Sequence, residues 1–434
     1  MYTLIDKICA RNSYKAINDI LKGATLHDLQ CIDVVKMLAV KKAIVIYDTG
    51  TGKTLLAAAA MRLVLNAKPD AVFIMFVKKD QLVQTPTKLR NYADLSCLVT
   101  TAEAGVINEQ FLTKDLDKYN VLMLTHECLH STKVLDAIYK IRDKVAGIII
   151  DEAHEYNNFN NASSANVLHA MTKKFEYVWG LTATPIVTQL NQLARLANVV
   201  DVNKYPDAKK LSRKLLNGEF SIQQDPGFFI NRSASDLGRD SNPNGYVITV
   251  KPTDYQRTCN LGGVELFQVC KGEGAVAQVE ALIQLIRDKI NTDQRGLVYI
   301  SQGSVLKWVC SNLDNTNIRY ACINGSTALN KRSEIEQRFA KHEYDVILTS
   351  ITTAIDLDCD YVTFYEFTVL VNQMIGRAHR GLKPKELDVY FIITKDTNEE
   401  DYFINNIAAK CELVRQILGK GNSAVEAVAG HLGY

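Results

Sequence analysis

The sequence has none of the patterns that mark membrane, disordered or fibrous proteins. Only eight prolines occur among 434 residues, and no low-complexity tract interrupts the chain, which argues against long disordered segments. No apolar run approaches the ~18–20 residues that a membrane-spanning helix needs, and the first residues lack the basic stretch and apolar core of a signal peptide. We therefore expect a soluble, cytoplasmic protein with no membrane partner.

Metal-ligand and disulfide patterns are missing as well. Ten cysteines are scattered along the chain, without a Cys-x-x-Cys pair or a Cys/His cluster at metal-ligand spacing. Most of them lie in apolar surroundings, such as Cys97, Cys259 and Cys310. This pattern predicts reduced, buried thiols in a cytosolic protein rather than disulfides or zinc ligands.

A strong net charge is the third absence. The chain has 50 Lys and Arg against 48 Asp and Glu, so no global basic field points to a polyanionic partner, and any nucleic-acid contact has to be local. With 47% apolar residues the chain can bury substantial cores. Its length suits two to three domains of roughly 100–200 residues each.

Short apolar runs alternate with amphipathic stretches along most of the chain, after a mainly helical start over residues 1–40. That alternation predicts an α/β protein of two lobes, each with a parallel, doubly wound sheet and helices on both faces. The runs predicted as strands are Ala43–Tyr47, Ala71–Val77, Ser96–Val99, Val121–Leu124, Gly147–Ile150, Val178–Leu181, Gly296–Ile300, Arg319–Ile323, Asp345–Leu348, Tyr361–Tyr365 and Asp388–Ile393.

The stretch 206–245 interrupts this rhythm. Asn217-Gly218, Asp225-Pro226-Gly227 and Ser241-Asn242-Pro243-Asn244-Gly245 are turn-forming sequences. We therefore predict a first lobe over residues 1–205, a connector of turns and helices over 206–275, and a second lobe over 276–434 that ends in a helix.

A phosphate-binding loop follows the first predicted strand. Gly50 and Gly52 allow the tight backbone turn that brings amide N–H groups close to phosphate oxygens. Lys53 offers a charge to the β- and γ-phosphates, Thr54 offers a hydroxyl to Mg²⁺, and the helix-forming run that follows directs its dipole at the phosphates. The predicted ATP-binding residues are Tyr47, which stands where the strict pattern has glycine, Asp48, Thr49, Gly50, Thr51, Gly52, Lys53 and Thr54.

Two carboxylates follow the buried run Gly147–Ile150. Carboxyl ends of parallel strands are where ligands bind in such sheets. Asp151 is expected to hold Mg²⁺ through water, and Glu152 to polarise the water that attacks ATP. The alternative is a solvated acidic turn that caps a helix, which leaves the joint occurrence of this pair and the phosphate loop unexplained.

Three polar residues in the second lobe recur at helical spacing. Gln373, Arg377 and Arg380 lie at positions i, i+4 and i+7 and so share one helix face. Two guanidinium groups on one face suit phosphate binding, and from a second lobe they can act as arginine fingers. A solvated basic face is the alternative.

Five motifs occur in one order: Leu26–Gln30, Asp48–Thr54, Asp151–His154, Leu181–Pro185 and Gln373–Arg380. In that order they resemble superfamily-two helicases, and within them the Snf-type (Swi/Snf-like) DEAH-box translocases of duplex DNA. Supporting features are Pro252–Gln256, Lys383–Glu386 and Thr397–Glu400, and the resemblance covers about residues 24–415. It implies two RecA-like lobes with an ATP cleft between them.

The resemblance also implies roles for further residues. Gln30 is expected to read the adenine edge. Residues expected to couple the nucleotide state to lobe closure are His154, Thr182, Thr184 and Gln373. Residues that fall where such motors line the DNA track are Lys78, Thr125, Asn324, Thr349 and Ser350. Each has a plainer alternative, because polar residues are common at helix starts, before prolines and at cleft edges.

The expected function is therefore that of an ATP-dependent DNA translocase or helicase that uses ATP and Mg²⁺. Tracking along phosphates implies contacts with duplex DNA that do not depend on sequence. Two alternatives stay open: a strand-separating DNA or RNA helicase, and an ATP-controlled loader or clamp acting on a protein partner. The short lobes favour a monomeric bacteriophage or mobile-element protein in a bacterial cytoplasm, with a replication or recombination protein as its partner.

Overall fold

The computed structural model describes residues 14–100, 118–157, 162–186, 191–238, 243–350, 355, 357–368, 371–378, 386–419 and 422–433. The chain divides into two compact units, Met1–Leu237 and Gly238–Tyr434. Each unit is built on one parallel sheet. In the part of the chain that the structure describes, no helix has the length and apolar character that a membrane crossing requires.

Unit 1 contains a seven-stranded sheet in the order β3-β4-β2-β5-β6-β1-β7. The strands are β1 (Lys42–Tyr47), β2 (Val72–Val77), β3 (Cys97–Thr100), β4 (Val121–Thr125), β5 (Val145–Ile150), β6 (Tyr177–Thr182) and β7 (Phe229–Arg232). Its helices are α1 (Asp28–Val40), α2 (Lys53–Ala67), α3 (Gln84–Ala93), α4 (Thr132–Ile141), α5 (Ala162–Thr172), α6 (Asn191–Val200) and α7 (Ala208–Leu216).

Unit 2 contains a six-stranded sheet in the order β10-β11-β9-β12-β13-β8. The strands are β8 (Pro243–Val250), β9 (Gly296–Tyr299), β10 (Tyr320–Ile323), β11 (Val346–Thr349), β12 (Tyr361–Phe364) and β13 (Leu387–Thr394). The helices are α8 (Asp254–Thr258), α9 (Gly263–Lys271), α10 (Val276–Asn291), α11 (Gly303–Leu313), α12 (Leu329–Ala340), α13 (Val371–Ala378), α14 (Asn398–Tyr402), α15 (Ala409–Leu418) and α16 (Ser423–His431).

Helices cover both faces of each sheet, as the alternation of the sequence predicted. In unit 1, α1, α2 and α3 pack on one face, and Leu196 and Val200 of α6 approach Gly180 on the other. In unit 2, one core contains residues of α10 and α11, and a separate core contains residues of α12, α13 and α16. The prediction of an α/β protein with two doubly wound parallel-sheet lobes is confirmed, and all eleven predicted strands are present within a residue or two of their bounds.

The boundary between the two units differs from the predicted one. The stretch 206–275, predicted as a connector, is divided between the units at residue 237. β7 pairs with β1 and extends the first sheet, whereas β8 pairs with β13 over eight residues and forms an edge of the second. Both strands lie among turn-forming residues, and their apolar runs are short. β8 is only partly buried, as an edge strand is.

Two of the motifs that support the family resemblance, Pro252–Gln256 and Thr397–Glu400, have structural roles in unit 2. Thr253 and Gln256 form a capping box at the start of α8, which satisfies two backbone N–H groups. Glu399 is fully buried and pairs with Lys271 at 3.1 Å, while its second carboxylate oxygen accepts from the N–H of Thr394. A buried ion pair requires such additional hydrogen bonds to offset its desolvation, and here they connect α9, α14 and β13.

Gly147 in β5 allows the close approach of aromatic residues on both neighbouring strands. It is paired with Phe73 of β2 and Tyr177 of β6. A Cβ atom at this position would lie 2.5 Å from the carbonyl oxygen of Tyr177 and 2.9 Å from the ring of Phe73. Phe73 in turn stacks on the buried Trp179 with ring centroids 5.6 Å apart.

We predict that Gly147→Ala lowers the free energy of unfolding of unit 1 by about 1–3 kcal/mol, because overpacking shifts backbone and rings. Urea denaturation in a Trp308→Phe background measures it, since Trp179 is then the single remaining tryptophan. Gly303→Ala is the control, because no atom lies within 4 Å of its added Cβ. Equal midpoints for both variants would contradict the packing argument.

Candidate active site at the carboxyl ends of β1 and β5

The phosphate loop joins the end of β1 to the start of α2. Gly50 and Gly52 have φ angles of 77° and 93°, a left-handed conformation that favours glycine. The N–H and hydroxyl of Thr51 donate to the carbonyl oxygen of Asp48 at 3.4 and 2.5 Å and close the turn. The loop therefore presents the N-terminus of a 15-residue helix, where backbone N–H groups and the helix dipole favour an anion.

Lys53 lies folded over the loop. Its Nζ donates to the carbonyl oxygens of Tyr47 and Asp48 at 2.9 and 3.2 Å. These carbonyls hold the ammonium beside the helix N-terminus, where a phosphate would be attracted by both. Thr54, the next residue, is partly exposed on the first turn of α2. The geometry suits the predicted roles of both residues, which stay predictions.

Gln30 supports the loop from behind. Its side-chain Nε2 donates to the carbonyl oxygen of Thr51 at 2.8 Å, and its Oε1 accepts from the N–H of His27 at 2.9 Å. The second bond belongs to the capping box of α1. Gln30 is 4% exposed, so its amide is engaged within the protein. Reading an adenine edge, the predicted role of Gln30, would require this amide to exchange a partner.

A buried carboxylate beneath the loop was not predicted. Asp33 of α1 is fully buried, accepts two hydrogen bonds from the Arg232 guanidinium at 2.7 and 2.9 Å, and accepts from the Tyr47 hydroxyl at 2.7 Å. These bonds to Asp33 raise the pKa of Arg232, and burial raises the pKa of Tyr47. The tyrosine in place of the usual glycine thus has a partner in the core.

The loop is also bonded to the segment that follows β7. The Asp48 carboxylate accepts from the N–H of Ala234 at 2.7 Å, and the N–H of Asp48 donates to the carbonyl oxygen of Arg232 at 3.3 Å. Together with the Asp33–Arg232 pair, these bonds fix the first residues of the loop to the edge strand of unit 1. No local sequence pattern signals them, because the partners are separated by almost 200 positions.

The acidic pair lies at the end of β5. The N–H of Asp151 donates to the carbonyl oxygen of Phe76 at 2.9 Å, which continues the sheet by one residue. Glu152 has a left-handed φ of 48°, and its N–H donates to Asp151 Oδ1 at 3.0 Å. Both residues are more than 90% buried. A non-glycine residue with a left-handed φ, as Glu152 has here, is often found at functional sites.

The spacing of the strands leaves room for phosphates between the loop and the acidic pair. Only β6 lies between β1 and β5, so the two strand ends are about 10 Å apart at ~4.8 Å per strand. Mg²⁺ prefers hard oxygen ligands and binds through one or two protein groups together with substrate phosphates. Asp151 and Thr54 supply a carboxylate and a hydroxyl, so the donor set fits the predicted metal.

His154 connects the acidic pair to the end of β6. Its Nδ1 lies 3.1 Å from the Thr182 hydroxyl, 3.5 Å from the Thr184 hydroxyl and 3.4 Å from Glu152 Oε2. Burial lowers the pKa of His154, which favours the neutral imidazole. The structure thus brings together three of the four residues predicted to couple nucleotide state to closure.

His154 lies on a 3-10 turn, Ala153–Asn157. Two further residues of this turn make polar contacts that the sequence did not indicate. Glu155 pairs with Lys78 at 2.6 Å, and Tyr156 bonds to His126 Nδ1. Burial opposes ionisation of Glu155, but Lys78 outweighs it, and the net effect is a lowered pKa. Burial lowers the pKa of His126 to about 4. The predicted track residue Lys78 therefore contacts the turn that carries His154.

The remaining predicted residues occupy strand ends and a helix. Thr125 is buried at the end of β4, with its hydroxyl 3.6 Å from Cys128 Sγ. In unit 2, the ends of the neighbouring strands β10 and β11 bring together the predicted track residues Asn324, Thr349 and Ser350, with Ser350 N–H donating to the carbonyl oxygen of Ile323. Gln373 and Arg377 lie on α13. Arg380 lies outside the described residues.

Two protein families match this chain, one in each unit. The family described as "Type III restriction enzyme, res subunit" matches residues 12–187, and the family described as "Helicase conserved C-terminal domain" matches residues 277–381. The first range contains the phosphate loop and the acidic pair. The second contains β9 to β12 and the helix with Gln373 and Arg377.

Similarity to individual proteins is distant. The chain is 23% identical over 279 residues to the chromatin-remodeling ATPase INO80 of Lodderomyces elongisporus. The aligned residues make up 61% of this chain and 17% of that protein. The chain therefore spans less than a fifth of this curated relative. A solved structure, the Sulfolobus solfataricus SWI2/SNF2 ATPase core in complex with dsDNA, aligns over 95% of this chain and 97% of its own, with 15% identity and a TM-score of 0.42.

We predict that Arg232→Met lowers the free energy of unfolding by about 3–5 kcal/mol, because it leaves the buried Asp33 carboxylate without its strongest partner. Urea denaturation measures the effect. Adding Asp33→Asn to the same chain should recover part of the loss, since no buried charge then remains. Arg213→Met, at an exposed position of α7, is the control. A loss below 1 kcal/mol for Arg232→Met would show that the pair does not hold the loop.

Proposed function

We propose that this chain is an ATP-dependent DNA translocase of the Snf-type branch of superfamily two. The observation that carries the proposal is the pairing of a phosphate loop at the end of β1 with buried Asp151 and Glu152 at the end of β5, one strand apart. The match of the second unit to a helicase C-terminal family supports a two-part motor. The motif Asp151–His154 makes it a DEAH-box protein in this proposal.

In this reading, the phosphate loop binds the nucleotide and orients its terminal phosphate. The N–H groups at the start of α2 and the Lys53 ammonium would attract phosphate oxygens, with Lys53 leaving the carbonyls of Tyr47 and Asp48. Thr54 and Asp151 would hold Mg²⁺, which neutralises charge on the phosphates. Glu152 would accept a hydrogen bond from the attacking water and polarise it.

The second unit would complete this site. Gln373 and Arg377 are four residues apart within α13, a spacing at which positions of a helix are neighbours, and Arg380 follows three residues later in the sequence. We propose that the two arginines stabilise the charge that develops on the transferred phosphate, as arginine fingers do. Alternate binding and release of nucleotide would then open and close the units along a DNA backbone.

The proposed substrate is duplex DNA, bound without sequence preference. The support is the Snf-type motif order and the similarity to a chromatin-remodeling ATPase. Polar residues at the ends of β2, β4, β10 and β11 would contact phosphates: Lys78, Thr125, Asn324, Thr349 and Ser350. We further propose an origin in a bacteriophage or mobile element, with a replication or recombination protein as partner.

We predict that Lys53→Ala lowers kcat for ATP hydrolysis at least 100-fold, because Lys53 is the charge nearest the helix N-terminus in the phosphate loop. Phosphate release at saturating ATP measures it. Lys133→Ala is the matched control, since Lys133 is exposed on α4, away from the phosphate loop in the sequence. Equal turnover by Lys53→Ala and the unmodified chain would place ATP hydrolysis elsewhere.

The experiment that tests the function compares ATP hydrolysis without nucleic acid and with blunt duplex DNA, single-stranded DNA, forked DNA and RNA. We expect the largest stimulation from blunt duplex, and we expect it to fall at higher salt because phosphate contacts release counterions. Stimulation by single strands or forks alone would favour a strand-separating helicase. If no nucleic acid stimulates hydrolysis, an ATP-controlled loader acting on a protein replaces the proposal.

A further inference from the structure

Two cysteines of unit 2 lie in direct contact. Cys310 is on α11 and Cys322 is on β10, and their Sγ atoms are 3.3 Å apart. Neither residue forms a disulfide in the structure, and both are only partly buried. The sequence predicted reduced, buried thiols rather than disulfides, because two single cysteines twelve positions apart carry no sign that they meet. The fold thus creates a pair of thiols that the sequence does not reveal.

The contact belongs to the packing of α11 on β10. Tyr320 and Cys322 are two positions apart on β10 and therefore lie on the same face of the sheet. The Tyr320 hydroxyl donates to Asp314 Oδ1 at 2.6 Å, one residue beyond the end of α11, and lies 3.3 Å from the carbonyl oxygen of Cys310. Tyr320, Cys322 and Cys310 all pack against the same apolar core. These contacts hold the two sulfurs side by side in the reduced protein.

A covalent bond between the two sulfurs requires only a small displacement. The S–S bond of a disulfide is about 2.0 Å long, so the 3.3 Å gap has to shorten by about 1.3 Å. β10 is an edge strand of its sheet, and its strand partner is β11. Because an edge strand is hydrogen-bonded to the sheet on one side, it can move by this amount more easily than a central strand. A disulfide here would join the edge strand of unit 2 covalently to a helix.

The contact also makes one of the two thiols the better nucleophile. The hydrogen bond from the Cys322 thiol lowers the pKa of Cys310 in spite of burial, and the same contact raises the pKa of Cys322. The thiolate, not the thiol, attacks peroxides and sulfur electrophiles. Cys310 is therefore the sulfur that reacts first, and Cys322 is adjacent to its product.

We propose that Cys310 and Cys322 form a redox-active dithiol, which hydrogen peroxide converts into an intramolecular disulfide. Cys310 Sγ attacks one peroxide oxygen, the O–O bond breaks, and the departing hydroxide takes up the thiol proton and leaves as water. Cys322 Sγ then attacks the sulfenic acid on Cys310. An S–S bond replaces the S–O bond, and a second water leaves with the proton of Cys322. The two sulfurs together lose two electrons, which reduce the peroxide, and a small dithiol such as dithiothreitol reverses the reaction.

Peroxide treatment of the folded, full-length chain tests the proposal, because trypsin separates the two sulfurs. Cleavage after Lys307, Arg319 and Lys331 places Cys310 and Cys322 in two different peptides, each with a single cysteine. The remaining thiols are alkylated before digestion. We expect mass spectrometry to find these two peptides joined after peroxide treatment and separate again after treatment with dithiothreitol.

Cys97 and Cys411 are the matched controls, because they are partly buried thiols on other elements, β3 and α15. Burial raises the pKa of Cys97 to about 12 and that of Cys411 to about 11, so both stay protonated near neutral pH. We expect the Cys310–Cys322 disulfide to form at least ~10-fold faster than either control is oxidised, since reactivity follows thiolate character. A Cys322→Ser chain should instead accumulate sulfenic acid at Cys310, which dimedone traps.

The same experiment gives three results that would overturn the proposal. In the first, Cys310 and Cys322 are recovered as alkylated thiols while Cys97 or Cys411 is oxidised. In the second, a non-reducing gel shows that the disulfide joins two chains. In the third, the disulfide forms equally fast in the urea-unfolded chain, so that closeness in sequence and not the fold brings the sulfurs together. ATP hydrolysis is not measured, so none of these results bears on the proposed function.

Discussion

The geometry of unit 1 depends on one buried ion pair, Asp33 with Arg232. A carboxylate with no exposed surface is stable only where it is paired and fully hydrogen-bonded, and Asp33 obtains its bonds from Arg232 on β7 and Tyr47 on β1. The phosphate loop starts one residue after Tyr47. The ion pair therefore fixes the phosphate loop, an irregular segment that contains glycines, against the strands β1 and β7. Held in this way, the N–H groups of the loop keep a common direction.

The rest of the site follows from the parallel sheet. All strands of a parallel sheet end at the same edge, and ligands bind in the crevice there. In unit 1 that edge carries the phosphate loop, the acidic pair, Thr182 and Lys78 at the ends of β1, β5, β6 and β2. Polar side chains that are far apart in the sequence therefore lie within a few ångströms of each other, as the contacts of His154 with Thr182 and of Glu155 with Lys78 show.

Structural features that depend on a local sequence pattern could be predicted from the sequence. Features that depend on pairing between distant residues could not. Apolar runs such as Gly147–Ile150 identified the buried strands, and the spacing of Gly50, Gly52 and Lys53 identified the loop. β7 and β8 were missed, because β7 has four residues and β8 is an edge strand with Pro243 and Gly245 near its start. The Asp33–Arg232 and Lys78–Glu155 pairs could not be predicted, since single charged residues carry no sign of their partners.

The position of β8 bears on the order in which the chain folds during synthesis. β8 is made at the start of unit 2, but its hydrogen-bonding partner β13 and the helix α16 packed on Gly245 come more than 130 residues later. Contacts of such long sequence separation form late and slowly. Unit 1 can therefore complete its sheet while the ribosome is still translating, whereas unit 2 keeps an open edge until its last helix emerges. During that interval β8 lacks its hydrogen-bonding partner, and an unpaired strand can pair with another chain.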